Sequence, residues 1–591
     1  MCGIAGLMTI DGTTPASELL DRLAGALHHR GPDGHGRLVS AGIGLVQTRL
    51  AIIDLTTGNQ PIYASPGAAK RPAAIVANAE IYNYIELREQ LRDATFATQS
   101  DCEPPLHLYL RHGLDFVDHL RGMYALAIYD AERDRLVLAR DPFGIKPLYY
   151  VENSRGFAFA SEPAALIEAG IVEPVLNADG RRELLQLQFT TGRGTAFAGI
   201  ERVLPGETLA IERGRVVERR RRAALPKAGV ESIRDERALI DLDVQLNDTV
   251  GLHQRSDVPY AMFLSGGVDS SILLAMMARL NARPVHAFTA GFPDTDANDE
   301  RQHARAVAKA ARAIHHDVPV SEGDFVTRLP AVAAALDDPT TDYAALPTFL
   351  LAERARAEGF KVVLSGEGGD ELFAGYSRYR SYIRPRIFGG RDMRRRGTFD
   401  DLDLLRDPAT GWRDGIVSAE AEARAAGGTP LQLAQATDCA DWLPNDLLIK
   451  VDRCLMAHGV EGRVPFLDVE MAKFAYRLPD RLKVRRNHGK WLLRQWLEAG
   501  LPVAKPLARK RGFTVPVAAW IAKLGKRLGP LVAAQPGVAE ACYPDRVEAL
   551  FAATGKHQGQ AAWALLFFAL WHQHHILRRP ADGDIFATLA A

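Results

Sequence analysis

Apolar runs about as long as a β-strand recur through the first 210 residues of the chain. Those at residues 42–46, 74–77 and 124–130 are separated by Gly, Asp and Asn, which favour turns. Residues 17–29 instead carry Leu and Ala at helical spacing, which predicts an amphipathic helix. This pattern predicts a strand-rich α+β domain over residues 1–210.

From about residue 235 the periodicity changes. Apolar runs at residues 260–264, 285–289 and 361–364 alternate with segments of helical spacing. This rhythm is typical of a parallel β-sheet whose two faces are covered by helices. We therefore predict a second, α/β domain over residues 235–591.

Three segments stand apart from these patterns. Residues 213–222 are basic with few apolar positions, which predicts a linker at residues 211–234 between the two domains. Residues 377–430 are rich in Arg and Asp, which predicts an irregular or helical insertion. The apolar run at residues 561–571 is about half the roughly 20 residues that a membrane span needs, and it predicts a buried helix.

Composition narrows the class of protein. Of 591 residues, 47% are hydrophobic and 24% charged, which is typical of a soluble globular protein. The 72 basic residues balance the 72 acidic ones, which argues against a broad nucleic-acid-binding or membrane-binding surface. Five cysteines without CxxC spacing suit a reducing cytosol and provide no zinc ligand set. We expect a cytoplasmic protein without a signal peptide.

Cys2 follows the initiator Met1 directly. A small residue at this position usually allows the methionine to be removed, which would leave a thiol and a free α-amine on one residue. The amine, with an unperturbed pKa of about 8, can take the thiol proton, so Cys2 would supply both nucleophile and base. An ordinary second residue is the alternative that Cys2 alone leaves open.

A Gly-rich turn at residues 264–271, Leu-Ser-Gly-Gly-Val-Asp-Ser-Ser, follows an apolar strand and precedes a helical run at residues 272–280. A strand, a Gly-rich turn and a helix N-terminus form a geometry that binds phosphate. Ser265 and Ser270 add hydroxyl donors, whereas Asp269 would repel bare phosphate and indicates positioning or metal binding. The Walker sequence is absent, because no Gly-Lys-Ser/Thr ends the turn.

A second Gly-rich turn after an apolar strand carries Glu367, Asp370 and Glu371. Three acids would be costly to bury in a core. They suit a Mg²⁺ and base cluster at the carboxyl edge of a sheet, and a solvated acidic turn is the alternative. Further along, Lys490 and Arg494 are four residues apart and share one helix face, where a surface role is the alternative.

Four polar residues of the first half could bind an α-amino acid beside Cys2. Arg49 could hold its α-carboxylate in a bidentate pair. Glu80 and Asp101 could receive its α-ammonium group. Asn78 could stabilise an oxyanion with its side-chain amide.

Taken together, these motifs resemble the glutamine-dependent asparagine synthetase family. The shared motifs are Met-Cys-Gly-Ile at the start, Arg-Gly-Pro-Asp, Ser-Gly-Gly-Val-Asp-Ser, Ser-Gly-Glu-Gly-Gly-Asp-Glu and Glu-Gly-Arg-Val-Pro-Phe-Leu-Asp. They span the chain from Cys2 to about Pro516. The resemblance implies a class II glutamine amidotransferase domain of the N-terminal nucleophile fold, an αββα sandwich. It also implies an α/β parallel-sheet synthetase domain, adenine nucleotide α-hydrolase-like, with a PP-loop.

The resemblance further implies a reaction. Cys2 attacks the side-chain amide of glutamine and releases ammonia, with Asn78 and the N–H of Ala79 as the oxyanion hole. Ammonia then crosses an internal tunnel. An acceptor carboxylate attacks the α-phosphate of ATP, and ammonia displaces AMP from the acyl-adenylate. Glu367 would deprotonate ammonia, and Lys490 would stabilise charge at the phosphate.

The resemblance and the motifs together assign binding residues. The residues predicted to bind glutamine are Arg49, Asn78, Glu80 and Asp101. The residues predicted to bind ATP are Leu264, Ser265, Gly266, Gly267, Asp269, Ser270, Phe288, Thr289, Ser365 and Gly366. Candidate contacts of the acceptor are Ser365, Glu367 and Arg463. The predicted Mg²⁺ ligands are Asp269 and Asp370.

One position departs from the family pattern. The family loop commonly reads Asn-Gly-Glu-Ile-Tyr-Asn, and this chain has Ala79 at the glycine position. If the backbone there needs a positive φ, alanine is strained by about 1–2 kcal/mol, and if φ is negative nothing is lost.

The sequence leaves the identity of the acceptor carboxylate open. Aspartate is the first choice, and the alternatives are a sugar uronate, diaminopimelate or a secondary-metabolite carboxylate, including lactam closure. A non-catalytic relative that binds nucleotide is a further alternative. A glutamine-dependent sugar-phosphate aminotransferase would lack the turn at residues 264–271. The expected partners are glutamine, ATP and the acceptor, without nucleic acid or membrane, and a homodimer is common in the family.

Overall fold

The computed structural model describes residues 2–64, 72–293, 300–385, 387, 390–407, 410–508 and 515–591. Three β-sheets organise these residues. Two six-stranded antiparallel sheets are built from the first part of the chain, and one five-stranded parallel sheet follows.

The first sheet has the strand order β10-β8-β9-β1-β3-β2. Its strands are β1 (Gly3–Thr9), β2 (Gly34–Ser40), β3 (Ile43–Arg49), β8 (Tyr149–Asn153), β9 (Gly156–Ala160) and β10 (Glu201–Arg202). β1 is central, pairing with β3 on one side and with β9 on the other. The chain therefore enters this sheet in the middle, which places Cys2 inside the domain.

The second sheet has the strand order β12-β11-β7-β6-β5-β4. Its strands are β4 (Ile62–Tyr63), β5 (Ala74–Ile81), β6 (Gly122–Asp130), β7 (Arg135–Arg140), β11 (Glu207–Glu212) and β12 (Arg215–Arg221). Every residue of β5 is buried, because one face meets the first sheet and the other meets helices.

Helices cover the outer faces of both sheets. They are α1 (Ser17–Ala26), α2 (Tyr84–Gln90), α3 (Pro104–His112), α4 (Pro163–Glu168) and α5 (Ala178–Leu187). One apolar cluster, which includes Ile4 and Leu138, fills the space between the two sheets. A second joins α2 and α3 to the second sheet, and a third joins α1, α4 and α5 to the first. These layers confirm the αββα sandwich.

The predicted linker was placed too early. Residues 207–221 form the hairpin of β11 and β12, in which Thr208 lies opposite Arg220. β12 is an edge strand whose residues alternate between exposed and half-buried, so its arginines reach solvent. A basic composition therefore reflects an edge strand here, and the connection to the second domain starts after Arg221.

The third sheet has the strand order β15-β14-β13-β16-β17, and its described pairings are parallel. Its strands are β13 (Tyr260–Phe263), β14 (His286–Gly291), β15 (Ile314–Pro319), β16 (Val362–Leu364) and β17 (Glu461–Arg463). The predicted α/β architecture is confirmed. Because the strands are parallel, their carboxyl ends meet at one edge, where ligands of such sheets bind.

Helices pack on both faces of this sheet and continue beyond it. Those of the sheet region are α6 (Asp235–His253), α7 (Val268–Leu280), α8 (Arg301–Ala310), α9 (Glu322–Ala335), α10 (Ala345–Ala357), α11 (Gly369–Leu372), α12 (Ser377–Tyr382), α13 (Asp414–Ala426), α14 (Pro430–Thr437), α15 (Leu448–Met456), α16 (Val469–Arg477), α17 (Asp480–Lys483) and α18 (Trp491–Gly500). Those of the C-terminal part are α19 (Val517–Ala533), α20 (Pro536–Ala541), α21 (Pro544–Ala552), α22 (Lys556–His575) and α23 (Ile585–Ala590).

Two of the segments singled out in the sequence have defined structures. Within residues 377–430, α12 and α13 flank irregular chain, while residues 386, 388–389 and 408–409 lie outside the described part. The run at residues 561–571 is buried within α22, as predicted. Within the described ranges, none of the helices combines the length and the apolar character that crossing a bilayer demands.

Candidate active sites

The Cys2 site lies between the two antiparallel sheets. Cys2 is buried, and its backbone N–H donates to Asn78 Oδ1 at 3.1 Å. Burial raises the pKa of the Cys2 thiol, while the N–H of Leu50 and the charge of Arg49 oppose that rise. Nδ2 of Asn78 is buried and has no hydrogen-bond partner among the described residues. The side chain that accepts from the Cys2 N–H therefore also carries an amide donor that makes no hydrogen bond to the described residues.

Ala79 is accommodated without backbone strain. It lies within β5 opposite Tyr124 of β6, in extended conformation. It is absent from the described non-glycine residues with positive φ. The replacement of the expected glycine consequently costs nothing at this backbone position.

The other residues predicted to bind glutamine lie around this site. Arg49 is fixed by Asn59, whose Oδ1 accepts from Nη1 at 2.7 Å. Asp101 accepts from the N–H of Ile81 at 2.8 Å, and burial raises the pKa of this carboxyl to about 6. Burial also raises the pKa of Glu80 well above its ordinary value, although a nearby arginine opposes this.

That arginine is Arg463, which was expected to contact the acceptor. Its Nη2 lies 2.8 Å from Glu80 Oε2, and its Nε lies 2.6 Å from Glu461 Oε1. Arg463 is fully buried and does not line the cavity of the second site described below. The structure therefore corrects this expectation: the side chain of Arg463 points toward the Cys2 site.

A cavity of about 620 Å³ lies at the carboxyl edge of the parallel sheet. Both Gly-rich turns line it. The first connects β13 to the N-terminus of α7, and Gly266 has a φ of +72°, which favours glycine. Within this turn the Ser265 and Ser270 hydroxyls lie 3.1 Å apart, and Ser265 Oγ accepts from the N–H of Gly267 at 3.3 Å.

Lys490 joins the two turns. Its ammonium group contacts Asp269 of the first turn and lies 2.7 Å from Asp370 Oδ1 of the second. Burial alone would lower the pKa of Lys490, but the two carboxylates outweigh it and raise the pKa above its ordinary value. A Cβ atom at Gly375 would lie 2.2 Å from Lys490 Cε, so a side chain there would displace the lysine.

Most of the predicted ATP-site and catalytic residues line this cavity. They are Leu264, Ser265, Gly266, Gly267, Asp269, Ser270, Phe288, Ser365, Gly366, Glu367, Asp370 and Lys490. Thr289 does not, and this expectation is corrected. Its hydroxyl donates to the Leu264 carbonyl at 2.6 Å, so it ties β14 to β13 behind the cavity wall.

The carboxylates at this cavity suit Mg²⁺ only if a substrate supplies further oxygen ligands. Groups of three or more His, Cys, Asp or Glu side chains able to hold a metal are absent from the described residues. Asp269 and Asp370 nevertheless face the same ammonium group. Because Mg²⁺ is usually bound through one or two carboxylates together with substrate phosphates, these two residues fit the ion when ATP is present.

The sequence did not reveal the rest of the cavity wall. It is formed by residues from both domains, among them Gln188, Tyr376, Arg378, Arg394, Trp442, Asp446 and Lys450. Trp442 and Asp446 belong to a π-helical segment, Asp438–Leu447, a rare form that often marks functional sites. The mixture of Arg and aromatic residues near residue 377 was the sequence feature that could have indicated this part of the cavity wall.

Buried ion pairs connect the two domains. Arg30 lies 2.8 Å from Asp452, and Arg202 lies 2.7 Å from Asp338. Gln188, at the end of α5, lines the cavity of the second domain. The two sites are therefore parts of one packed structure.

Comparisons with known proteins agree with this architecture. Residues 1–221 match the glutamine amidotransferase domain model, and residues 241–573 match the asparagine synthase model. A putative glutamine-hydrolysing asparagine synthetase of Mycobacterium tuberculosis is 33% identical over 97% of both chains. Glutamine-hydrolysing asparagine synthetase 1 of Bacillus subtilis is 29% identical over 99% of this chain and 98% of its own. An amidase, chyE of Penicillium rubens, is 32% identical over 64% of this chain and 60% of its own. The chain therefore belongs to the glutamine-hydrolysing asparagine synthetase family.

Proposed function

We propose that the protein is a glutamine-dependent amide ligase that transfers ammonia from glutamine to an ATP-activated carboxylate. The observation that carries this proposal is the position of Arg463. Its carbonyl accepts from the N–H of Ser365 in the ATP-site turn at 2.9 Å, while its side chain pairs with Glu80 beside Cys2. The backbone of Arg463 thus supports the ATP-site turn, while its side chain contacts the glutamine site.

In the first half-reaction, the Cys2 thiolate attacks the side-chain carbonyl of glutamine. Removal of Met1 would expose the α-amine as the base, with Asn78 Oδ1 in place to hold it. Asn78 Nδ2 and the N–H of Ala79 would donate hydrogen bonds to the carbonyl oxygen and stabilise the negative charge that develops on it. Arg49 and Asp101 would bind the α-carboxylate and the α-ammonium group. Collapse of the tetrahedral adduct breaks the C–N bond, releases ammonia and leaves a glutamyl thioester on Cys2, which water then hydrolyses to glutamate and the free thiol.

In the second half-reaction, the acceptor carboxylate attacks the α-phosphate of ATP and pyrophosphate leaves. The N-terminus of α7 with Ser265 and Ser270 would hold the phosphates. Lys490 would stabilise the charge on them. Asp269 and Asp370 would hold Mg²⁺, which neutralises phosphate charge when bound. Glu367 would take a proton from the ammonia that attacks the acyl-adenylate.

We propose L-aspartate as the acceptor and L-asparagine as the product, with AMP and pyrophosphate. Relatives named asparagine synthetases support this choice, since two of them match almost the whole chain. The relative named an amidase keeps a second candidate open, the same reaction on another carboxylate.

Acceptor-dependent pyrophosphate release tests both candidates. The protein is supplied with ATP, Mg²⁺ and ammonium chloride, and aspartate, a sugar uronate and diaminopimelate are compared. Aspartate should give the highest kcat/KM. Faster pyrophosphate release with another acid would show that this acid, and not aspartate, is the preferred acceptor. The proposed ligase reaction would stand.

A further inference from the structure

Lys490 lies between the two carboxylates that are proposed to hold Mg²⁺. Its ammonium group contacts Asp269 Oδ2 and lies 2.7 Å from Asp370 Oδ1. The other oxygen of Asp269, Oδ1, is buried against Gly369, where an added Cβ atom would lie 2.6 Å from it. Oδ2 is therefore the oxygen of Asp269 that a cation can reach, and Lys490 contacts it.

The backbone of Lys490 is held in place. Its N–H donates to the Phe373 carbonyl at 2.9 Å, and its carbonyl accepts from the N–H of Arg494 at 2.9 Å. Its φ of +57° lies in the left-handed region, which a lysine keeps only when its surroundings hold it there. The lysine can therefore change partners through its side-chain torsions alone.

A single cation contacts both carboxylates in this arrangement. Two carboxylates so close together repel each other unless a cation lies between them, so Lys490 stabilises the site without a metal. Mg²⁺ binds carboxylate oxygens directly, at about 2.0–2.1 Å. A second cation on the same two oxygens would be repelled by the ammonium group. Lys490 and a metal ion therefore exclude each other from this position.

We propose that Lys490 is the internal counter-ion of the metal site and gives up the two carboxylates only when nucleotide phosphates arrive with the metal. This inference rests on the proposed ATP and Mg²⁺ site and adds its selectivity: the site takes the metal–nucleotide complex and not the free ion. Displacement by a free ion would leave the ammonium group of Lys490, which is buried, without an anion, and that is costly. Phosphates remove this cost, because they are new partners for the ammonium group.

A second cation of the same helix face is arranged differently. Arg494 Nε donates to the Gly489 carbonyl at 2.8 Å, and its Nη1 donates to the Pro506 carbonyl. Its guanidinium group thus bonds backbone carbonyls, although it lies near enough to sense the charges of Asp269 and Asp370. Arg494 is therefore the matched control for a nearby positive charge that does not fill the metal position.

The test measures binding of Mn²⁺, a paramagnetic substitute for Mg²⁺, to the full-length protein without nucleotide. Loss of the electron paramagnetic resonance signal of the free ion reports binding. The variants are Lys490→Met and Lys490→Gln, which remove the charge, and Arg494→Gln as the control. Asp370→Asn, alone and added to Lys490→Met, locates the bound ion. Calorimetry compares the Mg²⁺ complex of α,β-methylene-ATP with the metal-free analogue.

The unsubstituted protein should bind Mn²⁺ weakly without nucleotide. Lys490→Met and Lys490→Gln should bind it at least about 10-fold more tightly, because the competing cation is gone. Asp370→Asn should abolish that gain, and Arg494→Gln should change the affinity less than about 3-fold, because its guanidinium group does not contact the carboxylates. Mn²⁺ should also raise the melting temperature of Lys490→Met and leave that of the unsubstituted protein unchanged.

Tight binding of Mn²⁺ by the unsubstituted protein without nucleotide, lost in Asp370→Asn, overturns the proposal, and this measurement needs no variant of Lys490 to fold. Equal Mn²⁺ affinities of the unsubstituted protein and the folded Lys490 variants also overturn it. So does an equal gain in Arg494→Gln, because the effect would then be one of general charge.

Failure of the underlying site gives a different result. If the Mg²⁺ complex of α,β-methylene-ATP binds no better than the metal-free analogue, the proposed metal site falls and this inference falls with it. Acceptor-dependent pyrophosphate release tests the ligase function separately.

Discussion

The guanidinium of Arg463 lies 2.8 Å from the carboxylate of Glu80, across the boundary between the two domains. Arg463 ends β17 of the parallel sheet, whereas Glu80 lies in β5 of the antiparallel sandwich. Burial alone would lower the pKa of Arg463, but Glu80 and Glu461 raise it above its ordinary value. Arg463 is therefore charged, and its contact with Glu80 ties the glutamine site to the ATP-site turn.

Arg463→Gln should destabilise the protein and weaken glutamine use. It leaves Glu80 and Glu461 buried without their cation, which costs about 3–5 kcal/mol of folding free energy. Glutamine-dependent synthesis should fall more than ammonia-dependent synthesis, because Glu80 lies at the glutamine site. Urea unfolding and the ratio of the two activities are the measurements.

The exposed pair of Arg477 and Glu231 provides the control for that substitution. Arg477→Gln should cost less than about 1 kcal/mol, as exposed pairs do. A similarly small cost for Arg463→Gln, or an equal loss of both activities, would contradict the coupling of the two sites.

Asn78→Asp should slow glutamine hydrolysis about 10²- to 10³-fold in kcat, because it removes one oxyanion donor. The KM for glutamine should change less, since the donor acts on the charge that develops during the reaction. Glutaminase assays measure both constants. Asn153→Asp, at the hairpin between β8 and β9, is the control, and an equal effect of the two substitutions would remove Asn78 from the chemistry.

Glu367→Gln should stop amide formation with either nitrogen source. Adenylation does not need its carboxylate, so a burst of pyrophosphate of about one equivalent per enzyme should remain. Rapid-quench assays with ammonium chloride separate the two steps. Glu358→Gln, at the end of α10, should behave like the unsubstituted protein. Steady amide formation by Glu367→Gln would refute its role as the base.

Lys483 predicts a pH dependence of stability. Burial lowers its pKa to about 7, while its ammonium group donates to Gln435 Oε1 at 3.0 Å. Unfolded lysine keeps its proton up to about pH 10, so between pH 7 and 10 the unfolded state binds more protons. Stability from this group therefore rises with pH across that window.

Lys483→Met should abolish that contribution. The difference in urea unfolding free energy between Lys483→Met and the unsubstituted protein should change steadily from pH 7 to pH 9 and be constant below pH 6. A difference that does not vary with pH would show that Lys483 stays charged in the folded protein.

The sites that could be predicted from the sequence are those whose functional residues lie close together in the chain. Cys2 and the two Gly-rich turns carry their chemistry within a few residues, so their sites follow from local sequence. Thr289 was misassigned because neighbouring residues of a strand point to opposite faces, and Phe288 faces the cavity. Arg463 was misassigned for a related reason, since only the register of β17 shows where its side chain points.

The wall around Arg394 could not be predicted. Its aromatic and arginine side chains come from segments far apart in the chain, namely Phe189, Arg394 and Trp442. No local sequence pattern predicts that these residues are in contact. The hairpin of β11 and β12 was missed because an exposed edge strand needs few apolar residues. Tertiary packing supplies this information.

Transfer of nitrogen from glutamine to the acceptor tests the two-site account most directly. The protein is given ATP, Mg²⁺, aspartate and glutamine labelled with ¹⁵N in its side-chain amide, and the product amide is analysed by mass spectrometry. The unsubstituted protein should place ¹⁵N in the product. Cys2→Ala should lose this transfer and still use ammonium chloride, while the control Cys542→Ala, at a buried cysteine outside the sites, keeps both. Label in the product of Cys2→Ala, or loss of its ammonia-dependent synthesis, would contradict the account.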